Sequence, residues 1–161
     1  VEPHDLNDND VETLSDAKNF LYLIDPSGYE TRIEYLDALR ETNYDILIID
    51  AFYEDQEILT SDEVNSLKLK QNGGTRLVIS YMSIGEAEDY RYYWEDDWRG
   101  GDPGFIDEEN PEWEGNYKVR YWEENWQNVI FGKGDSYTDR LLSSGFDGVY
   151  LDIIEAFEYY E

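Results

Sequence analysis

The chain has 161 residues, of which 39 are acidic and 12 are basic, so its formal net charge at pH 7 is -27. This charge argues against nucleic acid and anionic membrane surfaces as partners, because both are bound largely through Lys and Arg. Cysteine is absent, which excludes disulfides, thiolate metal sites and a cysteine nucleophile. No run approaches the roughly 18 apolar residues of a membrane span, so we expect no membrane insertion.

The acidity has two alternative explanations. A high-salt habitat favours acidic surfaces and few lysines, of which this chain has five. Attraction to a polycationic substrate is the other explanation, because the field of an acidic protein raises the rate of encounter with cations. Composition does not separate the two.

The chain starts with a polar, acidic stretch that shows no periodicity. Residues 1–15 are therefore predicted to form a flexible acidic N-terminal arm ahead of one domain over 16–161. The stretch has no basic region followed by an apolar run, so no signal peptide is visible in this chain. The only histidine, His4, lies in this arm, so we expect neither a Ser-His-Asp triad nor a His-based zinc site.

The first half of the domain alternates predicted strands with predicted helices. Apolar runs predict strands at 19–25 and 45–50. The helix between them is expected to bury Ile33, Leu36 and Leu39. After the second strand, Thr60-x-x-Glu63 has the pattern of a capping box and opens a helix that buries Val64 and Leu67 and ends at the turn Asn72-Gly73-Gly74.

The second half contains two more predicted strands, at 76–83 and 148–152, separated by a long excursion over 84–121. Helices are expected near 123–130 and 136–143, with Gly145 just past the second, and a last helix starts near Ile154.

This alternation predicts an α/β fold with a parallel sheet. Four βα units are half of a TIM-like (β/α) barrel, which typically needs about 250 residues. The sequence thus predicts either a small open sheet or a barrel domain that is incomplete at the C-terminus. An open edge beside the fourth strand predicts that the chain continues, self-associates or covers the edge with its arm.

Each predicted strand ends in or is followed by a carboxylate. These acids are Asp25, Asp50, Glu86 with Glu88, and Asp152. Parallel barrels place their sites at the C-terminal ends of the strands, so the acids are expected to line one pocket and to act on an uncharged or cationic substrate. Glycoside hydrolysis needs two such carboxyl groups. Asp152 is the first candidate because burial could tune its pKa, and Glu86 is the next.

Other roles for the acids stay open. Asp152 could instead form a structural ion pair with Arg91 or Arg120. Glu155 lies one helical turn beyond Asp152 and could share its face. An acidic cluster could also hold Ca²⁺ or Mg²⁺, although the sequence has no dense acidic calcium loop, and we expect neither a metal nor a cofactor.

The excursion concentrates the aromatic residues. All five tryptophans lie within it or just beyond: Trp94, Trp98, Trp113, Trp122 and Trp126. Aromatic faces beside carboxylates suit a sugar-binding cleft, because a ring packs against the apolar face of a pyranose. Alternatively these side chains form a satellite core, which we expect especially for Trp122 and Trp126 at helical spacing.

Three segments closely resemble the glycoside hydrolase family 114-like proteins, the endo-α-1,4-polygalactosaminidase group. They are SIGEAEDYRYYW at 83–94, ENPEWEGNYKVRYW at 109–122 and GFDGVYLDIIEAFEYY at 145–160. The resemblance implies a (β/α)8 barrel, a secreted or extracellular protein, and α-1,4-linked galactosamine polymers as substrate, which are cationic when deacetylated. The family's proposed nucleophile matches Asp152, and its second catalytic acid lies on a later strand, beyond this chain. Glu155 and Tyr160 stand where the family pattern has Asp and Trp.

These observations together predict an endo-acting glycoside hydrolase. Asp152 is expected to be nucleophile or stabiliser, and Glu86 its catalytic partner. The other residues expected to bind substrate are Asp25, Asp50, Tyr81, Glu88, Arg91, Trp94, Trp113 and Glu155. The alternatives are a non-catalytic sugar-binding protein and a metal-dependent hydrolase.

Overall fold

The computed structural model describes residues 2–54 and 57–161; Val1, the first residue of the predicted arm, lies outside this range. The chain divides into two compact units. The first is built from Val1–Tyr81 and Leu141–Tyr150, and the second from Met82–Arg140 and Leu151–Glu161. None of the described helices is long and apolar enough to cross a bilayer.

The elements follow one another in an α/β order. The strands are β1 Leu21–Leu23, β2 Ile46–Asp50, β3 Phe52–Tyr53, β4 Glu57–Ile58, β5 Leu77–Ser83, β6 Glu86–Glu88, β7 Ile106–Glu109, β8 Asn116–Val119 and β9 Gly148–Asp152. The helices are α1 Arg32–Arg40, α2 Ser61–Leu67, α3 Glu124–Ile130, α4 Tyr137–Ser144 and α5 Phe157–Tyr160, with short 3₁₀ turns at Leu14–Asp16 and Ile154–Ala156.

A four-stranded sheet in the order β1-β2-β5-β9 organises the fold. β1 with β2 and β2 with β5 pair in parallel, as predicted from the alternation of strands and helices. Leu47, Ile49 and Val78 are fully buried in its centre. Among the described residues the sheet is open at both ends and does not close into a barrel.

β9 is less covered than its apolar sequence suggests. Val149, Tyr150 and Leu151 are 41–45% exposed, whereas an apolar run usually indicates a strand buried on both faces. β9 is exposed because it is the last strand in the sheet order and, among the described strands, has a neighbour on one side only.

The buried face was predicted correctly for one helix of the first unit and only in part for the other. Val64 and Leu67 of α2 are fully buried, and its Thr60–Glu63 capping box is formed, as predicted. In α1 the prediction was wrong for Ile33, which is 71% exposed. A helical turn takes 3.6 residues, so positions spaced three apart rotate progressively around the helix axis. A buried face centred between Leu36 and Leu39 therefore does not include position 33. The end of α2 was also misplaced: it ends at Leu67, and Gly73 lies in a later turn with φ 96°.

The N-terminal segment contacts the first unit. Asn7 and Val11 are each 2% exposed. The buried Lys70 ammonium donates to the Asn7 carbonyl at 2.6 Å, to the Asn9 carbonyl at 2.8 Å and to Asp45 Oδ1 at 2.9 Å. The division of the chain into an arm and a domain at residue 16 stays a prediction.

The excursion contains a second sheet that sequence analysis did not predict. Its order is β6-β8-β7, and both pairs are antiparallel. The helices that follow, α3 and α4, lie within one residue of the predicted ranges. Gly145 has φ 80°, which suits the residue just past a helix end.

Candidate active site

The start of β6 lies against the segment that follows β9, both in the second unit. The Ile84 amide donates to the Asp152 carbonyl at 3.1 Å. Gly85 comes so close that a Cβ there would overlap the Ile153 carbonyl oxygen and lie 2.6 Å from the Ala156 Cβ. Glycine is therefore required at position 85 if the two predicted catalytic residues, Glu86 and Asp152, are to be neighbours.

The backbone directly after Asp152 has an unusual conformation. The next residue, Ile153, has φ 56° and ψ 37°, in the left-handed region. A β-branched residue is rare there because its side chain crowds the backbone, and such strain clusters at functional sites. The strained residue turns the chain directly after Asp152, from the strand into the short turn that carries Glu155.

Glu86 is a buried carboxyl group, only 6% exposed. Its Oε1 accepts a hydrogen bond from Asn110 Nδ2 at 2.8 Å. Burial raises its pKa above the ordinary value, while the Asn110 hydrogen bond and the Lys118 charge act in the opposite direction. The charges of Glu88 and Asp152 raise the pKa further. A carboxyl group with a raised pKa is what a general acid requires.

A cavity of about 200 Å³ opens beside Glu86. It is lined by Gly85, Glu86, Lys118, Ile153, Glu155, Ala156, Glu158 and Tyr159. Three of these side chains are acidic and one is basic, so the lining carries a surplus of negative charge. Such a cavity suits a neutral or cationic group better than an anion.

Lys118 is the basic residue of the cavity lining, and its ammonium contacts two other side chains. In the antiparallel register Lys118 lies opposite Glu86. Its Nζ lies 3.1 Å from Glu108 Oε1 and 3.8 Å from the centroid of the Tyr159 ring. We refer to Lys118, Glu108 and Tyr159 as the clasp.

Glu88, predicted to bind substrate, lies in a buried ion pair. Arg91 Nε donates to Glu88 Oε2 at 2.7 Å, and both side chains are 3% exposed. Tyr90 donates its hydroxyl proton to Glu88 Oε1 at 2.8 Å, and the Tyr93 hydroxyl accepts from the Glu88 amide at 3.0 Å. With this many hydrogen bonds, the buried Glu88–Arg91 pair is better suited to holding β6 in place than to contacting a ligand.

Three predicted site residues lie in the first unit. Asp50 and Tyr81 are partners in the register of β2 and β5, and Asp50 accepts from the Phe52 amide at 2.9 Å. Asp25 is exposed and accepts from the Ser27 amide at 2.9 Å; hydrogen bonds from Ser27 lower its pKa. Convergence of these residues with Glu86 and Asp152 on one pocket stays a prediction.

The aromatic residues separate into packed and exposed groups. Trp126 is 1% exposed and donates to the Ile84 carbonyl at 2.9 Å, which confirms it as core. The half-buried Trp94 packs on Tyr117 with ring centroids 4.9 Å apart. Trp113 is 66% exposed. The core prediction was wrong for Trp122, which is 47% exposed.

Sequence reasoning missed Asn110, Lys118 and Tyr159. The segment that holds Lys118 is quoted above for its resemblance to a family, but nothing in it marks the lysine. Its place opposite Glu86 depends on the register of β6 and β8, which two short, polar strands do not reveal. Tyr159 carries a weak signal, since it follows Glu155 by four residues and shares its helical face.

The family model described as glycoside-hydrolase family GH114 matches residues 7–160. The chain belongs to this family. An uncharacterized protein of Methanocaldococcus jannaschii is 40% identical over 133 residues, which are 83% of this chain and 37% of that protein. An uncharacterized protein of Thermotoga maritima is 36% identical over 122 residues, 76% of this chain and 36% of its own length. The GH114 chain described here thus spans less than two fifths of these relatives.

Similarity of fold extends to a solved structure. The crystal structure of Aspergillus fumigatus Ega3 in complex with galactosamine matches with a TM-score of 0.52 and 21% sequence identity. The match covers 87% of this chain and 44% of that one. At this identity the likeness concerns the fold, and it agrees with the α/β architecture predicted for the GH114 chain.

Proposed function

We propose that the protein is an endo-acting glycoside hydrolase that cleaves a galactosamine-type polysaccharide with Asp152 and Glu86 as its pair of carboxyl groups. The observation that carries the proposal is the setting of Glu86. It is a buried carboxyl group with a raised pKa, and it shares a cavity with the strained turn that directly follows Asp152. Membership of GH114 supports the reaction class, and the galactosamine bound to Ega3 supports the sugar.

The two carboxyl groups take different roles because their surroundings differ. Glu86, whose pKa is raised by burial, donates its proton to the glycosidic oxygen as the bond to the anomeric carbon breaks. Asp152 either attacks that carbon or stabilises the positive charge that develops there. In the first case water then hydrolyses the glycosyl-enzyme, and Glu86 takes a proton back from that water.

The cavity also supports the choice of a cationic amino sugar. Glu155 and Glu158 line it and are exposed, so an ammonium group would find two carboxylates in the same cavity as Glu86. At the level of the whole protein, a net charge of -27 attracts a polycation from a distance. The extracellular location implied by the family resemblance belongs to this proposal as well.

Exposed aromatic rings continue from the cavity and are proposed to bind further sugar units. Tyr159 lines the cavity and lies 4.7 Å from the Tyr160 ring, which in turn lies 4.7 Å from Trp122. Trp122 and Tyr159 are 47% and 44% exposed. These rings are better placed for a sugar than the half-buried Trp94, while Trp113 keeps its predicted role.

The test uses purified protein and α-1,4-linked galactosamine oligomers. We expect Asp152→Asn to lower kcat by about 10³-fold or more, with little change in KM, because the loss concerns the transition state. Asp147→Asn is the matched control: it changes an aspartate just before β9, at the opposite end of the same strand, and turnover should be retained. Near-normal turnover in Asp152→Asn would remove this residue from the chemistry, and binding without turnover in the wild type would favour a sugar-binding protein.

A further inference from the structure

Lys118 has no part in the reaction proposed above, yet it is the basic side chain of the cavity lining. It projects from β8, directly opposite Glu86 on β6. Its side chain is 22% exposed, so water screens its charge only in part. A lysine placed opposite a general acid influences that acid, and how much depends on what holds the ammonium.

The clasp fixes the position of the ammonium. Glu108 on β7 lies 3.1 Å from Nζ, and the Tyr159 ring on α5 lies 3.8 Å from it. Burial raises the pKa of Tyr159, and a hydrogen bond between its hydroxyl and Glu108 raises it further. The clasp therefore joins two strands of the antiparallel sheet to the helix that follows Asp152.

We propose that Lys118 is a positioning residue of this active site: its ammonium fastens the segment after Asp152 to the sheet that carries Glu86, and Glu108 and Tyr159 hold this positive charge in a fixed place on the strand opposite Glu86. The inference rests on the proposed function only for its effect on turnover. The effect on Glu86 itself is a property of the folded chain.

Other charged groups around Glu86 act mostly in the opposite sense. Glu88 belongs to the same strand, Asp152 ends β9, and Glu155, Glu158 and Tyr159 line the cavity from the segment beyond. Every carboxylate among them disfavours a second negative charge at Glu86. Lys118 is the cation of this group, so its removal is expected to move the titration of Glu86 to higher pH.

The first experiment measures the Glu86 carboxyl group directly. The protein is labelled with ¹³C at glutamate Cδ, and the Glu86 signal is identified by its loss in Glu86→Gln. We expect the signal to titrate at higher pH in Lys118→Met than in the wild type, by on the order of half a pH unit. Lys118→Arg, which keeps the charge, should titrate close to the wild type. Lys133→Met, which removes an exposed lysine outside the cavity lining, should leave Glu86 unchanged.

A second variant is expected to shift the titration of Glu86 in the opposite direction. Glu108→Gln removes the carboxylate that holds the ammonium, so Lys118 is left freer to interact with Glu86, and the Glu86 signal should titrate at lower pH. An unchanged titration in both Lys118→Met and Glu108→Gln would overturn the proposal, whatever the activity of the protein.

The second experiment follows turnover against pH. The alkaline limb of kcat, where the general acid loses its proton, should move to higher pH in Lys118→Met and stay in place in Lys118→Arg. A merely structural role would lower kcat at all pH values without moving the limb, and that result would contradict the proposal. If the wild type shows no turnover while the Glu86 signal shifts as expected, the proposed function fails and the role of Lys118 stands.

Discussion

At the scale of single residues, the buried ion pair of the first unit makes the most specific stability prediction. Lys70 and Asp45 are both fully buried, and Lys70 also binds two carbonyl groups of the N-terminal segment. Hydrogen bonds and the Lys70 charge outweigh burial and lower the pKa of Asp45. Lys70→Met would leave this carboxylate buried without its cation, so we expect unfolding to become easier by about 3–5 kcal/mol.

Chemical denaturation at pH 7 measures this change. Lys68→Met is the matched control, because Lys68 forms a partly exposed pair with Asp147 in the same unit. Such pairs contribute about 0–1 kcal/mol. Equal losses in the two lysine variants would show that burial does not determine the strength of the Lys70 pair.

Glu63 offers a prediction about pH. Burial alone would raise the pKa of Glu63, but hydrogen bonds from Arg32 and Thr60 outweigh it and lower the pKa to about 2. A carboxyl group with a lowered pKa stabilises the folded state above its unfolded pKa, and this contribution disappears as the pH falls through the folded value. Glu63→Gln should therefore cost about 1–3 kcal/mol at pH 7, and the difference from the wild type should shrink between pH 5 and pH 2.

The measurement is the difference in unfolding free energy between the two proteins across this pH range. Taking the difference removes the general effect of neutralising the other acids, which both proteins share. Glu57→Gln serves as control: Glu57 also pairs with Arg32, at 3.2 Å, but is 79% exposed. A difference that persists at pH 2 would contradict the assignment of the Glu63 pKa.

At the scale of elements, the close approach of β6 to the turn after β9 is the feature most open to test. Gly85→Ala would push a methyl group into the Ile153 carbonyl and move Glu86 away from Asp152. We expect a loss of activity larger than the loss of stability, measured by kcat and by Tm on the same samples. Gly134→Ala is the control, because a Cβ there meets nothing within 4 Å. Full activity in Gly85→Ala would show that this approach does not set the site.

The elements also show which parts of the fold were predictable from sequence. The four strands of the sheet β1-β2-β5-β9 are visible in the sequence as apolar runs, such as that of Leu47 and Ile49 in β2. The antiparallel sheet does not, because β6 reads Glu-Ala-Glu and β7 reads Ile-Asp-Glu-Glu, with a bulge against β8. Short strands held by their neighbours carry little local signal.

The residues of the candidate site also differ in whether the sequence pointed to them. Glu86 and Asp152 were predicted because they end or follow apolar strands, where parallel folds place their chemistry, and their catalytic role stays a prediction. Asn110 and Lys118 were not, because they reach Glu86 only through the pairing of the antiparallel sheet. The exposed position of Trp122 was missed for a related reason, since it packs on Tyr160, 38 positions later in the chain.

At the scale of the whole molecule, the last strand of the sheet and the net charge act against each other. β9 exposes Val149, Tyr150 and Leu151, and an open apolar edge favours association. A charge of -27 opposes association until salt screens it, and the screening length falls from about 10 Å at 0.1 M to about 3 Å at 1 M ionic strength. We therefore expect the 161-residue chain to sediment as a monomer at low salt and to self-associate in about 1 M NaCl.

Leu151→Glu should reduce this association, because it places a charge on the exposed strand. The same substitution at Leu142, which is 69% exposed on α4, should not. Sedimentation velocity at two salt concentrations compares the three proteins. A monomer under all conditions would show that β9 is not an association edge.

The division of the chain into two interleaved units has a consequence for how this protein can be altered. Each unit is assembled from two stretches of sequence that are far apart, with the second unit taking Met82–Arg140 and Leu151–Glu161. A single crossover between related genes would therefore exchange half of a unit and leave its packing mismatched. We expect functional chimaeras only when both stretches come from the same parent, so that recombination preserves the antiparallel sheet together with the turn after Asp152.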